Sequence, residues 1–302
     1  MSANRAATGV AHDETVARAR FHYPKVAFKR PISKVVAHTF EHERDLALDP
    51  DAATGFIVLD RREALGLPWP ATLPTILARY LVLRADDTFS HQLGSNGETY
   101  YVLRGEGVSE NGDDPVRWQS GDAFCLSGGS ETRHRAIEHS VLLLSTNEPE
   151  LSYARAEPSE SSPTGIRPTL FKREDVEREL AAAIADPADT AAGRAVILVT
   201  EAMQDRLVAT PALSITFNTL EPGADQRPHR HCSAALTLCI EGEGVHSLID
   251  GERIDWSAGV VMLTPSAAVH SHHNRGNLRM KSFVVQDSPL HAQMRTTNFQ
   301  FV

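Results

Sequence analysis

Cysteine is scarce in this chain. Cys125, Cys232 and Cys239 cannot all pair with one another, and no two of them stand in a CxxC spacing. A disulfide framework and a cysteine-based metal site are therefore excluded, and the thiols are expected to stay reduced, as in a cytoplasmic protein. Long apolar runs are also missing. No stretch approaches the roughly 18–20 residues needed to cross a bilayer, and residues 1–20 lack the apolar core of a secretory leader. Nor is there a basic block. With 30 Lys and Arg against 39 Asp and Glu, the net charge of −9 argues against nucleic acid and anionic membranes as partners. Aromatic residues make up only 6%.

What is present is a globular balance, with 41% apolar and 23% charged residues over 302 positions, enough for two domains with substantial cores. The first 20 residues are polar and alanine-rich and predict a loose or helical arm. Strand composition then recurs at 78–83, 99–103 and 141–144, punctuated by Gly, Asn and Asp, which predicts a β-barrel or sandwich. Residues 155–168 are rich in Pro, Ser and Glu and predict a linker. Residues 174–185 predict a helix, with acidic residues in its first turn and Val176, Leu180, Ala183 and Ile184 at helical spacing. Strands are predicted again at 213–220, 235–240, 246–249, 260–263 and 280–285. The phrases Leu103-Arg104-Gly105-Glu106-Gly107 and Ile240-Glu241-Gly242-Glu243-Gly244 line up, as do Gly121 and Gly259. Such an internal repeat predicts two like barrels, at 1–154 and 191–302, with linker and helix at 155–190 between them.

Among 14 histidines, three carry chemistry. His229 and His231 alternate on a segment of strand character, so both imidazoles reach the same face. His270, after Gly259 and Pro265, can return beside them on a neighbouring strand. Three neutral nitrogen donors with open positions suit a catalytic metal rather than a structural one. Cys232 should point away from His231 and serve packing.

The repeat treats the two halves differently. With Gly105 aligned on Gly242, Gln92 and Gly94 stand where the second half has its His pair. His91, Glu98 and His134 remain as a rival metal set, although His134 follows Gly121 by two residues more than His270 follows Gly259.

The order Glu221-Pro222-Gly223, His229-Arg230-His231, Ile240-Glu241-Gly242-Glu243-Gly244, Asp250-Gly251-Glu252, Gly259, Pro265, His270 and Asn274 resembles the two motifs of the cupin superfamily. That resemblance implies an all-β fold of two antiparallel jelly-roll barrels with a few short helices. Ala235 and Leu236 stand where most metal-binding cupins carry a Glu, so the set is three histidines. Within the superfamily, Ser233-Ala234-Ala235-Leu236, Leu263-Thr264-Pro265-Ser266, His270-Ser271-His272 and the 39-residue step from His231 to His270 resemble the gentisate/salicylate 1,2-dioxygenases. The resemblance is close over 190–290 and loose before that. It implies Fe(II) held by His229, His231 and His270, with O₂ and a hydroxylated aromatic acid as substrates and association into a homo-oligomer.

Three departures bear on this expectation. The metal barrel comes second here and first in that family. Thr237 stands where the family has a carboxylate-holding arginine, so Thr237 and the upstream Arg194 become the candidate substrate-binding residues. Val269 replaces an aromatic residue before the third ligand. His272, two residues past that ligand, is implied to orient or deprotonate a substrate hydroxyl. Three-histidine coordination also admits Zn, Mn or Ni, and hence β-diketone cleavage, isomerisation or hydrolysis, and a barrel can hold a small ligand without catalysis.

Overall fold

A computed structural model describes residues 14–112, 114–158, 165–186 and 193–302. The described residues 14–33 belong to a unit separate from the rest of the chain, with two short helices at Glu14–Ala17 and Pro24–Ala27. The predicted arm falls partly on residues 1–13, and the predicted linker partly on 159–164; both stretches lie outside the described residues. Residues 34–302 form one compact unit made of two jelly rolls.

In each jelly roll a large sheet covers a small one. The first pairs a six-stranded sheet, in the order Thr169–Phe171, Ala123–Ser127, Gly97–Arg104, Ser140–Thr146, Leu77–Leu83 and Gly55–Val58, with a four-stranded one. The four run Thr88–Gln92, Glu131–Ala136, Glu106–Glu110 and Val116–Gln119. The second repeats this order with His38–Thr39, Val261–Thr264, Ala235–Glu241, Met280–Gln286, Ser214–Leu220 and Arg194–Leu198. Its smaller sheet runs Glu252–Asp255, Val245–Ile249, His270–Asn274, His229–His231 and Phe299–Phe301.

The two six-stranded sheets pack back to back. Tyr101 of the first meets Phe217 and Phe283 of the second at ring-centroid distances of 5.8 and 5.3 Å, inside a core that also holds Tyr80, Leu143, Leu236 and Leu238. Central strands are thus covered on both faces, one by the barrel interior and one by the other barrel. This is why Leu77–Leu83 and Ser140–Thr146 are buried at every position and read as continuous runs, while Glu131–Ala136, with one face to solvent, alternates strictly.

The helix expected at 174–185 is Arg173–Ala185, with Val176 and Leu180 buried. The boundaries differ from a bead-and-linker plan. Thr169–Phe171, in the expected linker, adds a strand to the first barrel, and His38–Thr39, in the expected first domain, adds one to the second. Each barrel covers a sheet edge of its own with a segment from outside it, as edge strands require.

Local chemistry explains the register near the site. Asp250 and Gly251, with φ of 49° and 88°, form the two-residue turn that joins Val245–Ile249 to Glu252–Asp255. Both central positions need positive φ, which Asp-Gly supplies at little cost.

Candidate metal centre

His229 and His270 face each other across adjacent antiparallel strands, and His231 lies one alternation further along. Their ring centroids are 4.2 Å (His229 to His270), 4.8 Å (His231 to His270) and 5.9 Å (His229 to His231) apart. One ligand atom from each lies within 4.8 Å of the others, and among the described residues no other group of three His, Cys, Asp or Glu meets that condition.

Backbone carbonyls prepare all three rings for a cation. Nδ1 of His229 lies 2.9 Å from the Arg227 carbonyl, that of His231 2.8 Å from the Ser233 carbonyl, and that of His270 3.0 Å from the Ala268 carbonyl. A carbonyl can only accept, so each Nδ1 carries hydrogen and each Nε2 keeps a free lone pair. Burial, the largest cause in each case, holds all three below the usual imidazole pKa, His270 at about 3. Neutral rings with their lone pairs turned inward fit an imidazole-binding divalent metal such as Fe(II), Zn or Ni. Phe299, opposite His231 on the edge strand and therefore on the same face as the ligands, stacks its ring on His229 at 5.0 Å.

His272 lies two residues past His270 and so on the same inner face, with ring centroids 6.2 Å apart. Its Nδ1 is 2.7 Å from the Ser247 hydroxyl oxygen, which accepts the Trp256 indole N–H at 2.8 Å. Burial lowers the His272 pKa to about 3, so the ring is neutral. With the Trp256 hydrogen on the serine oxygen, the serine hydrogen is left for Nδ1, and the imidazole hydrogen is assigned to Nε2. His273 points outward, where its Nδ1 pairs with Asp225 at 2.6 Å.

The first barrel contains the same triad. Trp118 donates to Ser109 at 2.8 Å, and Ser109 lies 2.7 Å from His134 Nδ1. In both barrels Trp follows Ser by 9 residues and His follows Ser by 25. His134 is thus the counterpart of His272, not of His270, which removes the two-residue discrepancy in spacing after Gly121. That doubled spacing was the sequence signal for Ser247 and Trp256, and it was missed.

Register corrects the alignment of the ligand pair too. His91 lies opposite Thr132 as His229 lies opposite His270. The matching positions are therefore His91, Leu93 and Thr132, rather than Gln92 and Gly94, because the first barrel has one more residue between that strand and the next. His91, Glu98 and His134 do gather, but around a phenol. The Tyr100 hydroxyl donates to Glu98 Oε2 at 2.6 Å and lies 3.4 Å from Nε2 of both His91 and His134. The three candidate donors close on Tyr100 rather than on a shared point.

Of the two substrate-binding candidates, Thr237 is buried on the inner face, opposite Val284 and Met262. Arg194 is not on that face. It lies opposite Thr219, on the side of the strand that carries Phe217, and alternation turns it toward the helix Arg173–Ala185.

Comparison with known proteins agrees with these features. Residues 216–286 match the family model described as "Cupin domain". A gentisate 1,2-dioxygenase of a Ralstonia species is 34% identical over 86 residues, which are 28% of this chain and 24% of that one. A 5-nitrosalicylic acid 1,2-dioxygenase of a Bradyrhizobium species is 30% identical over 86 residues, 28% of this chain and 41% of the other. These matches span well under half the length of the curated relatives. The crystal structure of a salicylate 1,2-dioxygenase from Pseudaminobacter salicylatoxidans superposes with a TM-score of 0.74 at 19% identity, covering 90% of this chain and 89% of that one. The fold is therefore the two-barrel cupin fold that this dioxygenase also has, with a cupin domain in the second barrel.

Proposed function

We propose that the second barrel is the active site of a ring-cleaving dioxygenase that takes a hydroxylated aromatic substrate, gentisate- or salicylate-like, and O₂. The observation that carries the reading is the convergence of three neutral imidazoles whose Nδ1 hydrogens are all engaged by backbone carbonyls. His229, His231 and His270 would hold Fe(II), which when bound brings substrate and O₂ together as neighbours and stabilises developing negative charge on oxygen. The partial relatives, named as gentisate and 5-nitrosalicylate dioxygenases, support the same class.

The chain's own groups then have defined tasks. The three carbonyls hold the rings in place. His272, neutral and hydrogen-bearing at Nε2, directs a donor toward the interior beside His270 and so can orient a substrate oxygen. Thr237 lines the inner wall. We place the protein among soluble cytoplasmic enzymes that associate into homo-oligomers; no described helix is long and apolar enough to cross a membrane.

Protein purified without oxygen and loaded with Fe(II) is expected to consume O₂ with gentisate, salicylate or a substituted analogue, and to produce a ring-opened product. Zinc-loaded protein should not. Oxygen uptake absent across the whole series, at one iron per chain, would reject the proposal.

A further inference from the structure

The outer face of the first barrel's small sheet carries three arginines around one valine. On Glu131–Ala136 the buried Thr132, His134 and Ala136 alternate with the exposed Arg133 and Arg135; on Val116–Gln119 the exposed Arg117 alternates with the buried Val116 and Trp118. Val108, on the strand between them, lies opposite Arg117 on one side and Arg135 on the other, and Glu110 lies opposite Arg133. The three cations therefore leave the sheet in one direction, from flanking strands about 10 Å apart.

Together with Pro115 these residues line a surface cavity of about 300 Å³. Its lining holds three positive charges and one negative, Glu110, an excess of two on a chain whose net charge is −9. None of the three arginine side chains has a hydrogen-bond or ion-pair partner among the described residues, although Glu110 stands across the ladder from Arg133. Exposed arginines elsewhere do pair, Arg62 with Asp60 at 2.5 Å and Arg178 with Asp175 at 2.6 Å. One solvated arginine needs no partner, but three like charges gathered on one cavity repel one another.

The second barrel shows what the same face looks like without such a cluster. By register, Asp255 stands at the place of Arg117, His273 at that of Arg135, Ser271 at that of Arg133 and His246 at that of Val108. There the polar groups engage their neighbours. Arg253 pairs with Asp255 at 2.6 Å, and His273 meets Asp225 at 2.6 Å and Ser271 at 2.9 Å. The His246 ring stacks on that of His273 at 4.9 Å. The frame thus has no need of cations at these positions, and only the first barrel places them there.

We infer that Arg117, Arg133 and Arg135 bind a small organic dianion, a phosphomonoester or a dicarboxylate, at a site separate from the metal centre. Guanidinium groups grip phosphate and carboxylate oxygens through paired N–H donors and stay charged throughout the physiological pH range. The excess of two positive charges matches two negative ones. Val108 and Pro115 offer the carbon skeleton an apolar surface between the cations. The acidic balance of the chain as a whole disfavours an extended polyanion, which would have to cross its negative surroundings.

The test is a calorimetric titration of the whole metal-loaded chain at low salt, with glycerol 3-phosphate and succinate as dianionic probes and butyrate as the monoanionic control. One site per chain is expected, with at least one dianion bound about 10-fold or more tighter than butyrate and its affinity falling as salt is raised. Tighter binding of glycerol 3-phosphate would assign the site to phosphoryl ligands, and tighter binding of succinate to dicarboxylates. Arg117→Gln and Arg135→Gln should each weaken binding about 10-fold, and the variant with all three arginines changed to Gln should abolish it. Arg253→Gln, on the matching face of the second barrel, should leave it unchanged. Without probe, the triple variant should melt at the same temperature or higher, because it removes mutually repelling charges. A clear fall in Tm would make the arginines structural and overturn the inference. So would butyrate binding as tightly as the dianions, or no binding of either dianion up to about 10 mM. Binding that survives the triple variant but disappears in His229→Ala would belong to the metal and overturn it as well.

Discussion

The first barrel fills its interior with Leu81, Tyr100, Phe124, Leu126 and Leu142, where the second has Asn218, Thr237, Met262, Thr264 and Ser282 at matching places in the strand ladders. The frames are alike down to the helices that close them. Glu148–Ala154 and Ser288–Met294 both have Pro in the first turn, and both end on an arginine with positive φ, Arg155 and Arg295. One frame with two fillings separates support from function. Large apolar side chains turn a barrel into a core. In the second, four smaller polar side chains stand in the same half of the molecule as the three histidines, and Met262 joins Cys239, Val245, Ile249 and Trp256 in a smaller apolar cluster. The Trp–Ser–His triad, common to both barrels, belongs to the frame; what differs is the partner of its histidine. His134 Nε2 meets the Tyr100 hydroxyl, and His272 Nε2 has no hydrogen-bond partner among the described residues.

The sharpest way to break this division is at the ligands. His229→Ala, His231→Ala and His270→Ala should each lower metal affinity more than about 100-fold and abolish O₂ consumption. His91→Ala, at the matching position of the first barrel, should leave metal content unchanged by elemental analysis. Loss of metal in His91→Ala would show that both barrels share the cation-binding role.

A second contrast concerns size. Tyr100→Ala should destabilise the protein by about 3–5 kcal/mol in urea, through the cavity and through the donor removed from the buried Glu98 carboxylate. Thr237→Ala, at the same ladder position, should cost about 1 kcal/mol or less, because its hydroxyl has no hydrogen-bond partner among the described residues. Equal losses would mean that the second interior is packed as tightly as the first.

Much of this was legible in the sequence where chemistry repeats or turns. The Gly-rich phrases disclosed two like barrels, Asp250-Gly251 marked its hairpin, and the His-x-His spacing gave the ligand pair directly. Three things were not legible. Strands covered on both faces lose their alternation, so Leu77–Leu83 showed composition but not direction. A one-residue difference between His91 and the strand Gly97–Arg104 shifted the apparent match to Gln92, and only the ladder with Thr132 restores it. Arg194 stands at a plausible distance along the chain, yet a strand sends neighbouring residues to opposite faces, and one position decides between the interior and the helix outside.

The triad offers a smaller contrast. Ser247→Ala should lower kcat about 10-fold by freeing the His272 ring, with metal content and KM little changed. Ser109→Ala should leave kcat alone and cost about 1–3 kcal/mol of stability, because it leaves the Trp118 indole and His134 Nδ1 without their shared partner. A fall in kcat for both variants would tie the first barrel to the chemistry and remove the distinction between the two.

The smallest effect is a slope. Burial, reinforced by the charge of His91, lowers the His134 pKa to about 3, against about 6.5 in an unfolded chain. Above about pH 6.5 neither state binds this proton, and stability is independent of it. Between about 6.5 and 3 the unfolded chain takes a proton that the folded one refuses, so unfolding becomes easier as pH falls, by up to about 1.4 kcal/mol per pH unit. In His134→Gln the urea stability should therefore fall less steeply between pH 6 and 4, by close to one proton's worth. An unchanged slope would mean that His134 already carries its proton when folded. The interior of the first barrel would then be an ion pair with Glu98 rather than the neutral network closed by Tyr100.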